Sequence, residues 1–282
     1  MSKIDFQNGF ALGLASGGVV QVVDTTEMDA LGNLIDESGV LDSADGTTTE
    51  KVEQLIEKAN KIDFSAYVTN ASQLFNKATS FPTKAVVNLL NATNIYQAFS
   101  HWNSTTEPIP IVDELIVTAP NITVSNKQHC MGQMFYMNNG VKKVILNMPD
   151  ESQYMESSFG YCGTLEEVVL NFSTKNIISY SGAFTNSQKL KKIVGALDFS
   201  SATNVNGFGQ CNSLEEVTFE PNTLLLSISL ANSSNLTSVS VQSIIDGLAT
   251  VTTAQTLTLN KAIALTDVQK KTIQDKGWTL VQ

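Results

Sequence analysis

The sequence predicts an α/β repeat fold: a solenoid of short stacked strands, with a helical module before it and an αβ cap after it. Three observations predict it. A Phe-led frame recurs about every two dozen residues, charged pairs of alternating sign ride on five of those recurrences, and the segments at both ends lack the frame.

The frame is a Phe followed by apolar residues six, nine and usually eleven positions later. Phe135 leads to Val141, Val144 and Leu146; Phe159 to Leu165, Val168 and Leu170; Phe208 to Leu214, Val217 and Phe219. Phe184 leads to Leu190 and Ile193, but Gly195 falls at the third place, so Leu197 is expected to take it over after a short insertion. The steps from Phe135 are 24, 25 and 24 residues, then a looser 22 to Leu230, with Leu236, Val239 and Val241 following. Upstream, Phe75 and Phe99 are again 24 apart and Phe81 stands six after Phe75. The frame then breaks into HWNSTTEPIPIVDELIV, which fits a unit carrying an insertion before Val112, Leu115 and Val117 restore it.

The charged pairs are Asp113-Glu114, Lys142-Lys143, Glu166-Glu167, Lys191-Lys192 and Glu215-Glu216. If each unit contributes one strand, equivalent positions lie about 4.7 to 4.9 Å apart. A like-charged ladder would repel at every step, whereas this one attracts. Exposed ion pairs are individually weak, so the expected role is to disfavour a slipped register, where like would face like.

The phrases SFGYCGTLEEVVL, AFTNSQKLKKIV and GFGQCNSLEEVTF resemble the BspA-type leucine-rich repeat over roughly residues 130 to 242. That resemblance implies a solenoid and an extended surface for protein or glycan contact, and no chemistry. The domains expected are an N-terminal assembly or attachment module at 1–66, the leucine-rich-repeat solenoid at 67–242 and a C-terminal cap at 243–282.

Residues 1–66 are glycine-rich first, then acidic. Thr47 and Glu50 make a capping-box pattern, and Val52, Leu55, Ile56, Ala59 and Ile62 follow at helical spacing. That stripe must be covered, either by the chain's own first repeats or by copies of itself in an oligomer. The opening FQNGFALGLASGGVV also resembles leading segments of structural proteins from phages of Firmicutes and gut bacteria. At the other end, Ile244, Ile245 and Leu248 mark an amphipathic stretch, Thr256 to Leu259 a strand, and Thr266 with Gln269 the start of a helix closed by Gly277. Trp278 is expected to pack on the last unit, and the phrase KGWTL resembles the ends of phage-encoded repeat proteins.

Composition narrows the partners. Seventeen basic against 27 acidic residues leave a net charge of −10, and arginine is absent. Nucleic acid is therefore not expected, because phosphate neutralisation needs clustered basic residues. No segment is long and apolar enough to span a membrane, and no export signal is expected, since Asp5 and glycines interrupt the early apolar stretch. Cys162 and Cys211 each stand three residues after their Phe, two units apart, beyond disulfide reach. With Cys130 leaving an odd count, they read as small buried hydrophobes from a reducing compartment.

No catalytic constellation is expected, and neither cofactor nor metal. His101 and His129 stand in no ligand pattern, and the glycines of GLASGG lack the Lys-Ser/Thr of a phosphate loop. The candidate binding surface is aromatic. Tyr136, Tyr154, Tyr161 and Tyr180 lie near the Phe ends of successive units, and Trp102 falls in the irregular insertion. The tyrosines read either as stacking platforms or as half-buried fillers. The functional expectation is a non-enzymatic phage virion protein, assembled in the host cytoplasm, with a structural, decoration or attachment role. It would bind other virion proteins or itself through residues 1–66, and a host-surface protein or glycan through its repeats. A bacterial surface adhesin is the alternative, and an enzyme built on the solenoid a distant third.

Overall fold

The computed structural model describes residues 61–63, 68–103, 108–127 and 129–282. Its main feature is a parallel sheet in which each strand pairs only with its sequence neighbours. The six strands β2 (Lys84–Asn88), β3 (Glu114–Thr118), β4 (Lys143–Asn147), β5 (Glu167–Leu170), β6 (Lys192–Leu197) and β7 (Glu216–Phe219) run consecutively, and β1 (Lys61–Asp63) joins at the β2 edge. This is an α/β repeat-like arrangement, and the strands carry the predicted frame: Val144, Val168, Ile193 and Val217 point inward and are at most 2% exposed. Leu197 does replace Gly195. The β6–β7 register shifts between Lys192 and Ala196, Gly195 sits at φ 102°, and Leu197 pairs with Phe219.

Opposite the sheet, the frame phenylalanines form one column. Phe75, Phe99, Phe135, Phe159, Phe184 and Phe208 stack ring on ring with centroids 5.1 to 5.6 Å apart. Burying each such ring contributes about 1.5 to 3 kcal/mol. The backbone around the column is unusual. Around Phe75, Phe99, Phe135 and Phe159 the residues two before and two after the ring adopt left-handed conformations without being glycine, as at Gln97 and His101, Gln133 and Met137, and Ser157 and Tyr161, with φ between 52° and 60°. Each costs roughly 1 to 2 kcal/mol. The compensation is hydrogen bonding, because alternating the backbone this way aims every second N–H at the next unit. Ser157, Phe159 and Tyr161 donate to the carbonyls of Ser181, Ala183 and Thr185, each at 2.8 Å. The intervening N–H groups close local turns, as from Gly160 to Ser157.

The repeat ends by changing face. A second parallel sheet, ordered β10-β9-β8, is made from β8 (Ile228–Leu230), β9 (Gln255–Leu259) and β10 (Trp278–Val281). Helices α1 (Ser238–Gly247) and α2 (Asp267–Asp275) alternate with these strands. The Leu230 frame therefore breaks sooner than its spacing predicts: Leu236 is buried, but Val239 lies in α1 and is 77% exposed. The expected boundary at 242/243 cuts through α1, where a strand has given way to a helix capped by Thr237. Thr266 and Gln269 form the predicted capping box, and Trp278 is buried with its indole N–H donating to the Ala249 carbonyl at 2.8 Å.

β1 pairs with β2 through Ile62 and Val87, so the sheet starts before residue 67 and Ile62 belongs to a strand instead of a helical stripe. The helix expected from Thr47 to Ala59 lies outside the described residues.

Candidate functional site

Of the five aromatic residues singled out by sequence, the structure brings two together. Tyr136 and Tyr161 meet edge to face at 5.6 Å, and His101 meets Tyr136 the same way at 5.8 Å. The fold explains the row. Tyr136 stands one residue after its Phe, while His101 and Tyr161 stand two after theirs in the left-handed position, so neighbouring units offer rings at the unit spacing. Gly160 occupies the place equivalent to Tyr136 in the next unit, and a Cβ there would lie 3.5 Å from the Tyr136 ring. That ring leans toward Tyr161, which is 44% exposed. His101 is held below its ordinary pKa, first by partial burial and then by the charge of Lys77. The lowered pKa favours the uncharged imidazole, and the row of three rings is suited to stacking on a sugar face or an apolar side chain.

Two of the five are corrections. Trp102 is 1% exposed and belongs to the repeat frame: it stands three after Phe99, and its indole N–H donates to the Phe75 carbonyl at 2.6 Å. The insertion begins after it. Tyr180 is fully buried against Phe199, with its hydroxyl donating to the Asp198 carbonyl at 2.9 Å, and burial raises its pKa. Neither ring can meet a ligand in this conformation. Tyr154 is half-buried against the core and pairs through its backbone with Ser179.

Sequence reasoning missed the neighbours of this row. Gln73, Gln97 and Gln133 form an amide ladder, with side-chain bonds of 2.9 and 2.6 Å, and the Tyr96 hydroxyl donates to Gln133 at 3.0 Å. The signal was available, since each Gln stands two residues before its Phe.

The charged pairs do face one another on the outer surface of the sheet. Asp113 meets Lys142 at 2.7 Å, and Lys191 meets Glu166 at 2.8 Å. In the adjacent row Lys143 lies 3.2 Å from Glu114 and 3.6 Å from Glu167, and Lys192 lies 2.7 Å from Glu216. Glu215 adds its field to Lys191. Lys84, which sequence analysis passed over, registers with Glu114 and extends that row. Beside the charges runs a second unnoticed feature. Val86, Ile116, Ile145, Val169 and Val194 occupy the next outward position in five successive strands, in register throughout. An outward strand position usually reads polar, and here it is β-branched and apolar five times.

Chemistry offers less. A groove of about 500 Å³ between β7 and α1 is lined by Phe219, Glu220, Ser243 and Asp246 among others. Burial pushes the thiols of Cys162 and Cys211 up to about 12, which leaves them protonated and poor nucleophiles. Among the described residues no group of three His, Cys, Asp or Glu is placed to hold a metal ion, and no helix is long and apolar enough to cross a membrane. No protein-family model, curated protein or solved structure matches the chain.

Proposed function

We propose that the chain is a non-enzymatic, BspA-like leucine-rich-repeat solenoid that serves as a structural, decoration or attachment component of a phage particle. Residues 1–66 hold it to other virion proteins, and the repeats face a host-surface protein or glycan. The observation that carries the binding half is the row of His101, Tyr136 and Tyr161, which projects from a backbone tied to its neighbours at every second residue. Rings held on so ordered a support lose little freedom when a partner stacks on them. The particle half rests on the likeness of FQNGFALGLASGGVV and KGWTL to segments of phage structural proteins.

Two measurements test the two halves. Mass spectrometry of purified phage particles should find the chain in fixed stoichiometry with the virion proteins; its absence there, with recovery by protease shaving of intact bacteria, would replace this reading by the adhesin. A glycan array probed with the full chain should give hits that weaken at least about tenfold in the Tyr136→Ala/Tyr161→Ala variant, the loss expected from two stacking contacts. Hits that survive the double change would remove the aromatic row from the site.

A further inference from the structure

The outer face of the sheet carries two features in one frame. The inner charged row, read along the sheet, is Lys84, Glu114, Lys143, Glu167, Lys192 and Glu216, one residue per strand from β2 to β7. Two residues further along the strands lies the apolar stripe from Val86 on β2 to Val194 on β6; at β7 the register shifts, and Thr218 pairs with Ala196. Val194 is 45% exposed, although side chains of that type are ordinarily withdrawn from water.

An alternating row with an even number of rungs has a particular symmetry: reversed end for end, every sign changes. Take two copies face to face, related by a two-fold axis parallel to the strands and passing between β4 and β5. That operation reverses the order of the strands and leaves the position along each strand unchanged. Stripe then lies on stripe, Ile145 facing Val169 and Ile116 facing Val194. Charge lies on charge with the sign opposed at every rung, Lys143 to Glu167, Glu114 to Lys192 and Lys84 to Glu216. The outer charged row obeys the same rule, since Lys142 would face Glu166 and Asp113 would face Lys191. A two-fold axis along the stacking direction does not do this, because superposing the stripes would then leave the inner charged row opposite the amide row that contains Asn147 and Asn171.

We infer that the apolar stripe is the contact surface of a two-fold homodimer, with the ion-pair ladder as its self-complementary rim. Six strands at about 4.8 Å and five residues at about 3.3 Å describe a face of roughly 480 Å² per copy, about 960 Å² in total, in the size range of weak, transient contacts. The dimer is therefore weak and concentration-dependent, in keeping with a protein concentrated on a surface.

The ladder also supplies a test that separates contact between copies from contact within one. In the full-length chain, Lys143→Glu sets acid against acid across the axis, and Glu167→Lys sets base against base. Each should weaken the wild-type dimer by about tenfold or more in sedimentation equilibrium. Mixed in equal amounts, the two variants form a heterodimer in which Glu meets Lys at both sites, so dimerisation should return. Mixing cannot repair a ladder damaged within one chain. Val194→Lys, at an already exposed position, should also abolish the dimer without lowering the melting temperature. A wild type that stays monomeric at about 1 mM, the weak end of the affinity scale, would overturn the inference. So would variants that dimerise as tightly as the wild type, which would move self-association to residues 1–60, or a mixture that stays monomeric.

Discussion

The thiol of Cys162 donates to the main-chain carbonyl of Phe135 at 3.0 Å, and in doing so fills a place that four other residue types or positions fill elsewhere in the repeat. Trp102 donates to Phe75, Asn138 to Phe99, Ser187 to Phe159 and Cys211 to Phe184. In the five units led by Phe99, Phe135, Phe159, Phe184 and Phe208 the residue three after the Phe reaches back to the Phe carbonyl of the unit before. That carbonyl lies inside the core, where leaving an acceptor unpaired costs about 1 to 3 kcal/mol. The requirement at this column is therefore a donor of any size, and hydropathy does not describe it.

The residues of this column should be exchangeable by donor. Cys162→Ser, which installs what Ser187 already is, should change stability by less than about 1 kcal/mol, whereas Cys162→Val should lose roughly 1 to 3 kcal/mol. Denaturant melts of the two variants decide it. A valine variant as stable as the serine variant would mean that the thiol serves only to fill space.

This column also shows what could be read from the sequence. The charge ladder and the inward strand positions were legible because sign and hydropathy repeat visibly along the chain. Trp, Asn, Cys, Ser and Cys share only a donor, so Trp102 read as part of an insertion and the cysteines as small hydrophobes. The left-handed backbone was equally silent, since Gln97, Met137, Ser157 and Tyr161 carry none of the glycine that usually announces it. Of the candidate binding residues, Tyr161 stands two after its Phe at an exposed position and Tyr136, one after its Phe, is half-buried beside it. Tyr180, four before its Phe, points in.

Reversing Glu166 and Glu167 to Lys should place basic side chains on β4, β5 and β6 in succession and lower the melting temperature. Changing Lys191 and Lys192 to Glu in that background should restore part of the loss, because the new pairs re-form across the β5–β6 contact. The melting temperatures of the four proteins in that cycle give the coupling. Strictly additive losses would show that the pairs seen 2.7 to 3.6 Å apart contribute no net attraction in solution.

The ladder also has a pH signature. Lys142 holds the Asp113 carboxyl below its ordinary value of 3.8, and Lys191 holds that of Glu166 below 4.5, in each case first through a hydrogen bond. A carboxyl whose pKa is lower in the folded state contributes stability that is complete above its unfolded value and disappears as pH falls through the folded one. The stability gap between wild type and Asp113→Asn/Glu166→Gln should therefore be constant from pH 7 to about 5 and close below about 4. A gap that persists at pH 2 would assign the effect of those substitutions to something other than charge.

The last strand of the main sheet poses the problem of any open edge, a row of backbone donors with no further strand to accept them. Here α1 supplies the acceptors with serines. Val217 donates to Ser240 Oγ and Phe219 to Ser243 Oγ, both at 3.0 Å, so two hydroxyls one helical turn apart stand in for two carbonyls of a strand two residues apart. The two bonds differ in setting. Ser240 is buried at 4% exposure while Ser243 is half-exposed, so water can replace only the second hydroxyl. Ser240→Ala should therefore cost about 1 to 3 kcal/mol and Ser243→Ala less than about 1 kcal/mol. Amide exchange locates the effect: in Ser240→Ala the Val217 amide should lose protection while its inward neighbours on β6 keep theirs. Thr237, the residue that caps α1 through a bond from the Ser240 N–H at 3.2 Å, supplies the control. Thr237→Ala weakens the helix start without removing either edge acceptor, so it should lower stability by about 0.5 to 2 kcal/mol with less selective exposure of Val217. If Val217 exchanges no faster in Ser240→Ala than in Thr237→Ala, the edge is protected by the bulk of the helix and the serines are incidental.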